Sequence, residues 1–259
     1  TNDVGLVAFS ADGEVIGNCF NQEFDIEEGA VGCGPWSAKW GALQQGIGRK
    51  LIGEILQQSI RHGAKGIRLM QISANLTSFS LYTSLGFVSR EPIVMWRGYL
   101  APEFMEAALK LGDEMGLTTR TLVERDIATC DAIHREALGI SRAKVLKKDL
   151  TSTYVKQIVV LNKKGKIIGY NTGMTVNGHT VVPDLPTLQF TIATAMSQHR
   201  AGEPDEPPFM HTCARLYPEI DRWLLQAGVK IERIDNNMCL GEWQPIKHEK
   251  YIYCSAVTY

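Results

Sequence analysis

Two glycines one residue apart, Gly46 and Gly48, stand in "GALQQGIGRKLIGEIL" just before a run with helical periodicity. Gly costs roughly 1 kcal/mol against Ala inside a helix. What it offers instead is a backbone that another molecule can approach closely, with free amides pointing outward. The first turn of a helix attracts anions, because its unpaired N–H groups and the helix dipole both favour negative charge. The chemistry expected at this turn is therefore phosphate binding. The six histidines (His62, His134, His179, His199, His211 and His248) make neither an HxH nor an HExxH pattern, so no metal site is expected. The six cysteines (Cys19, Cys33, Cys130, Cys213, Cys239 and Cys254) contain no CxxC pair and are expected as free thiols in a reducing compartment.

The elements that position this turn can be read along the chain. At 259 residues there is room for one large domain or two ordinary ones. The 44 % hydrophobic and 21 % charged content is that of a soluble globular protein, and a net charge of −1 argues against a nucleic-acid partner. No apolar run approaches the roughly 18 residues of a membrane span, so no membrane partner is expected. The opening "TNDVGLVAFS" has no signal-peptide pattern, and a cytoplasmic location is expected.

"VGLVAFSADGEVIGNCF" reads as a β-hairpin around Ala11-Asp12-Gly13, followed by the acidic turn "NQEFDIEEG" and a strand, "AVGCGPWSAKW". After the glycine turn comes a helix over about 47–63, with Leu51, Ile52, Ile55, Leu56 and Ile60 on one face. "GIRLMQIS" is strand-like, "TSFSLYTSLGF" a short helix closed by Gly86, and "FVSREPIVMWRGYL" a strand. This β-β-β-α-β-α-β order makes an α/β sandwich, a mixed, mostly antiparallel sheet flanked by helices. Residues 101–118, with Pro102 early and Gly116 behind, read as a connecting helix between domains at 1–100 and 119–259.

The second half repeats the layout. A helix has Asp126 near its start, a hairpin turns at Lys164-Gly165, and helix, strand, helix and strand follow. "LYTSLGFVSREPIVMWRG" and "WLLQAGVKIERIDNNMCLG" each carry a short helix ended by Gly (Gly86, Gly228), then a strand with Met (Met95, Met238). That is the layout of a diverged tandem duplication. The final "YIYCSAVTY" is an alternating strand able to complete either sheet.

Two segments, in order, resemble the GNAT superfamily of acyl-CoA N-acyltransferases. "LQQGIGRKL" resembles its acyl-CoA pyrophosphate loop, Gln/Arg-x-x-Gly-x-Gly/Ala at a strand-to-helix junction. Asn75 to Phe87, ending "LYTSLGF", resembles its second motif, an Asn followed by a helix reading Leu-Tyr-x-x-Leu-Gly-Phe. The match covers roughly residues 12–98, and the layout is similar to that of tandem two-domain members. Leu43 departs from the motif's first position, with Gln44 adjacent, and the family's first strand and first two helices have no counterpart before Thr1.

The resemblance implies acetyl-CoA, or another acyl-CoA, as cosubstrate, with its pyrophosphate on the amides of Gln44, Gln45, Gly46, Ile47, Gly48, Arg49 and Lys50. It implies a pantetheine arm beside Trp36, Ser37 and Ala38, where a splayed amide binds the thioester oxygen. Asn75 and Ser78 are implied at the pantetheine or the strand end, and Tyr82 as the acid that protonates the departing thiolate. The base is left open among the acidic run (Glu23, Asp25, Glu27, Glu28) and waters on Ser37 or Ser73. Leu224 aligns with Tyr82 and "VVPDLPTLQF" has no Gly-x-Gly, so the second half is expected to be catalytically silent, with His179, His211 and Cys213 its polar residues of interest. The expected activity is acetyl transfer to a primary amine of a small molecule. The alternatives are a non-catalytic acyl-CoA-binding or regulatory module and a protein or peptide N-acetyltransferase. Oligomeric state is open, a homodimer being one option.

Overall fold

The computed structural model describes residues 4–25, 29–39, 46–151, 156–201 and 206–255. By compactness the chain forms two units. Among the described residues the first holds 4–90 and 236–243, and the second holds 91–235 and 244–255. This division differs from the 1–100 and 119–259 read along the sequence, because strands far apart in the chain are exchanged.

The first unit contains β1 (Val4–Phe9), β2 (Val15–Asp25), β3 (Ala30–Ala38), α1 (Ile47–Arg61), β4 (Gly66–Ile72) and α2 (Leu76–Ser84). Its sheet runs β1-β2-β3-β4 and then residues 236–241 of β11 (Lys230–Gly241), a strand from the other end of the sequence. The hairpin and β2–β3 are antiparallel, whereas β3 and β4 are parallel. α1 buries Ile52, Ile55, Leu56 and Ser59 against Cys19, Val31, Ile67, Leu69 and Met238. Ile60, expected on that face, is 57 % exposed. The buried stripe passes instead through Ser59, whose hydroxyl accepts from the buried Asn21 Nδ2 at 3.0 Å, so a polar pair fills the place an apolar pattern assigns to Ile60.

The second unit contains residues 91–97 of β5 (Val88–Arg97), α3 (Pro102–Met115), β6 (Thr118–Thr121), α4 (Ile127–Leu138), α5 (Ala143–Asp149), β7 (Ile158–Leu161), β8 (Ile167–Asn171), β9 (Thr180–Val182), α6 (Leu185–Ala201), β10 (Phe209–Cys213), α7 (Pro218–Gln226) and β12 (Ile252–Cys254). Five strands form an antiparallel sheet in the order β12-β9-β8-β7-β6. β5 pairs antiparallel with β10. Helix α3 carries Pro102 in its first turn and ends at Gly116 with φ 69°. Gly112 lets α3 pack on α6, for a Cβ there would meet the Phe190 ring at 2.0 Å. All six cysteines are buried free thiols. Among the described residues no helix is long and apolar enough to cross a membrane.

Candidate active site

Strands β3 and β4 pair only at Ala30–Gly32 with Gly66–Arg68. Beyond Gly32, β3 stays on β2 through a register irregularity between Cys19 and Asn21, while β4 runs on to Ile72. The two parallel strands part and leave a fork. Lys39 N–H donates to Ile16 O at 2.9 Å, with Ala38 opposite Gly17 and Trp36 opposite Cys19. Antiparallel alternation therefore turns the amides of Trp36 and Ala38 away from β2, into the fork. An open strand edge of this kind can pair with an extended chain or an amide-bearing arm.

At the start of α1, Gly46 has φ 78°, a left-handed conformation that alone accounts for glycine. Among the described residues no side chain caps the helix, and its first internal bond is Lys50 N–H to Gly46 O at 3.0 Å. Lys50 has thus already used its amide. The amides of Ile47, Gly48 and Arg49 are the ones a helix leaves without an internal partner. Gly48 is under no comparable constraint, since among the described residues a Cβ there would meet only Leu81 Cδ2 at 3.8 Å. Arg49 Nη2 donates to Ser84 Oγ at 2.8 Å, tying α1 to α2. Gln44 and Gln45 lie outside the described residues, as do Glu27 and Glu28 of the acidic run.

Tyr82 stands on α2, half-buried, its ring edge-on to Trp36 of β3 at 4.9 Å and tilted against Phe87 at 6.1 Å. Burial is the main force that pushes its hydroxyl up to about 12; the Cys19 thiol adds to this and a Ser78 hydrogen bond opposes it. At neutral pH Tyr82 is therefore a protonated donor.

Asn75 is the N-cap of α2, with Oδ1 accepting from Ser78 N–H at 3.0 Å. A residue the sequence reading passed over fixes this corner. Gln71, 1 % exposed at the end of β4, donates from Nε2 to Asn75 O at 2.8 Å and Ser78 Oγ at 3.1 Å. Its Oε1 accepts from Asn236 Nδ2 at 2.8 Å, and the same amide reaches Ser73 Oγ at 3.1 Å. Ser37 Oγ donates to Asn18 Oδ1 at 3.1 Å. The signal for Gln71 was present, an amide inside the apolar run "IRLMQI". That for Asn236 was not, since it reaches β4 only through the exchanged strand.

The corresponding parts of the second unit differ. Asp184 Oδ1 accepts from Thr187 N–H at 2.9 Å, putting a carboxylate on the first turn of α6. Leu224 is fully buried on α7. His179 bonds Thr172 Oγ1 at 3.0 Å and Tyr170 Oη at 2.9 Å, and burial first, then Arg142 and His134, holds it neutral. Cys213 Sγ donates to Glu91 Oε2 at 3.7 Å, and His211 is buried on β10. Among the described residues no three His, Cys, Asp or Glu side chains gather in a group able to hold a metal.

No protein-family model matches the sequence, and no curated protein matches it. Solved structures do match. One, from Pyrococcus horikoshii and provisionally assigned as an acetyltransferase, aligns over 98 % of this chain and 79 % of its own, with TM-score 0.73 and 16 % identity. A GCN5-related N-acetyltransferase from Sphaerobacter thermophilus aligns over 93 % and 82 %, with TM-score 0.59 and 16 % identity. A fungal GCN5-related glucosamine N-acetyltransferase region aligns over 92 % of this chain and 33 % of its multi-domain protein, with TM-score 0.61 and 10 % identity. With a forked β3–β4 pair, a glycine-led uncapped helix beside it and a mixed sheet between helices, the chain has the fold of the GCN5-related N-acetyltransferases.

Proposed function

We propose that this protein is an acetyl-CoA-dependent N-acetyltransferase whose first unit carries the active site and whose acceptor is a primary amine of a small molecule. One conjunction carries the reading: the fork, the uncapped α1 turn and a protonated Tyr82 belong to three elements in mutual contact. Trp36 touches Tyr82, and Arg49 and Leu81 join α1 to α2.

The first-turn amides of Ile47, Gly48 and Arg49 bind the pyrophosphate of the cosubstrate, and Gly48 is glycine so that they can be approached from outside. The fork takes the pantetheine arm against the free edge of β3, and bound acetyl-CoA supplies an activated thioester. The amides of Trp36 and Ala38 stabilise the oxygen that gains charge as the amine nitrogen attacks the carbonyl carbon. A C–N bond forms and the C–S bond breaks. The sulfur leaves with the proton of Tyr82 Oη, and the amine gives up its own proton to water. With a net charge of −1 the chain lacks the strong field of an enzyme that docks on polyanionic or polycationic macromolecules, which favours a small acceptor.

The pH profile is set by the direction of the Tyr82 shift. Activity should climb as the acceptor amine, with a pKa of about 10.4 for a lysine-like amine, loses its proton. Tyr82, raised from 10.0 to about 12, should add no falling limb over the range in which the protein is folded. Because the folded value is the higher one, the shift stabilises the fold fully below pH 10.0, and this contribution fades as pH rises towards about 12. A descending limb near pH 9 that vanishes in Tyr82→Phe would overturn the assignment. The function is tested by incubating the protein with acetyl-CoA and a panel of small amines, lysine-bearing peptides included, while following free thiol. Release of CoA with matching N-acetyl product from a small amine is expected. Product from the peptides alone would replace the acceptor class, and no product from any amine would leave only a binding module.

A further inference from the structure

The order β9–α6–β10–α7–β11 repeats β3–α1–β4–α2–β5, so β9 and β10 are the second unit's counterparts of the forked strands. Strands β9 and β10 do not pair with each other and belong to different sheets, and the opening between them, the counterpart of the fork, is filled. Strand β12 pairs antiparallel with β9, Ile252 opposite Val182, Tyr253 opposite Val181 and Cys254 opposite Thr180, and it lies against β10 on its other side. Its side chains are locked in the interior. Ile252, Tyr253, Cys254 and Ser255 are each at most 6 % exposed, and the Tyr253 ring packs on His134 at 5.7 Å and His179 at 6.2 Å.

One offset of 142 residues superposes Gly86 on Gly228, Tyr82 on Leu224 and Asn75 on Tyr217. Asn75 holds the N-cap position of α2 and accepts from Ser78 N–H, whereas Tyr217 holds the N-cap position of α7 without a side-chain cap bond, which leaves its hydroxyl for another partner. The Tyr217 hydroxyl donates to Tyr251 O at 2.9 Å and accepts from Tyr253 N–H at 3.3 Å. A single side chain thus reads the donor and the acceptor of an extended backbone. Pantetheine is likewise an extended arm with amide donors and acceptors.

We propose that residues 251–255 are a built-in strand ligand, seated for good in the second unit's fork, where the equivalent fork of the first unit receives the acyl-CoA arm. What the fork would otherwise take rests on the acetyltransferase reading; the seated strand rests on the hydrogen bonds and burial alone. The second unit is then a scaffold that has exchanged its cosubstrate for its own backbone, and acyl-CoA does not displace it. The filled fork, the carboxylate of Asp184 and the missing phenol at Leu224 all lead to the same consequence.

Hydrogen exchange followed by mass spectrometry on the full chain, with and without saturating acetyl-CoA, tests this. Amides of 252–254 should be among the slowest in the second unit and unchanged by acetyl-CoA. Tyr217→Phe keeps the ring and removes both hydrogen bonds, so exchange there should quicken about tenfold, roughly the factor one net hydrogen bond is worth, while acetyl-CoA affinity holds. Fast exchange of 252–254 in the unsubstituted protein would show that the strand is not seated. Acceleration by acetyl-CoA would show that the fork exchanges its strand for the cosubstrate. Either result overturns the proposal. Slow exchange at 252–254 with no acetyl-CoA protection at 46–50 would remove the acyl-CoA reading of the first unit and leave the seated strand standing.

Discussion

Tyr82→Phe should lower kcat roughly 10²-fold or more while leaving acetyl-CoA affinity unchanged, the range expected when a general acid is removed. The substitution deletes one oxygen. The ring keeps its edge contact with Trp36 and its packing on Phe87, so the wall of the fork stays in place. What disappears is the proton that burial holds on the hydroxyl. Removing one hydroxyl should cost the fold no more than about 1 kcal/mol, small enough that a folded variant can be assayed. The discriminating measurement is steady-state kinetics with the true acceptor beside calorimetry with acetyl-CoA. A kcat within twofold of the unsubstituted protein would make Tyr82 a packing residue, with water protonating the thiolate. Weakened acetyl-CoA binding at unchanged kcat would place the hydroxyl on the pantetheine arm.

Helices and hairpins were legible in the sequence because their signals are local. The start of α1, Gly86 and Gly116 as helix ends and the turn at Lys164-Gly165 each depend on a few neighbouring residues and stand where the pattern put them, whereas the apolar face expected of α1 loses Ile60 to Ser59. Helix α5 was passed over because "AKVLKKD" offers little more than one turn of apolar spacing around the buried Leu146. Pairing was harder to read. Nothing in "REPIVMWRG" says that its strand leaves the first unit to pair with β10, and nothing in "RIDNNMCLG" says that its end joins β4. Apolar strands buried on both faces carry no mark of their partners. The same limit governs the site. Gly46, Gly48 and Tyr82 announce themselves by residue type and spacing, whereas Gln71 and Asn236 matter through a hydrogen bond spanning 165 positions. The last strand, which the alternation of "YIYCSAVTY" fits to either sheet, is assigned by the Tyr217 hydroxyl and by β9.

Gly46→Asp should abolish acetyl-CoA binding in a protein that still folds. Among the described residues nothing lies within 4 Å of the added Cβ, and Asp is one of the few residues that tolerate the left-handed backbone found there, φ 78°. The cost is charge and occupancy. A carboxylate would stand at the mouth of the turn whose amides are free, repelling phosphate and competing for the same N–H groups. The second unit already shows this arrangement, since Asp184 fills the first turn of α6 from its own side chain. A ligand at one hundred times its Kd stabilises the native state by about 2.7 kcal/mol, so the upward shift in Tm with acetyl-CoA should be plain in the unsubstituted protein and absent in the variant. Calorimetry should give one acetyl-CoA per chain before the substitution and none after it. Gly48→Ala separates ligand access from backbone conformation. Among the described residues its Cβ would meet only Leu81 at 3.8 Å, an ordinary contact, so the ligand-free protein should keep its stability or gain a few tenths of a kcal/mol, the direction of helix propensity. Its affinity for acetyl-CoA should nevertheless fall, because the added methyl group stands beside the amides that receive the pyrophosphate. Unchanged affinity in a stable Gly48→Ala protein, or residual binding in Gly46→Asp, would move the phosphate site off this turn and reopen the second unit as its place.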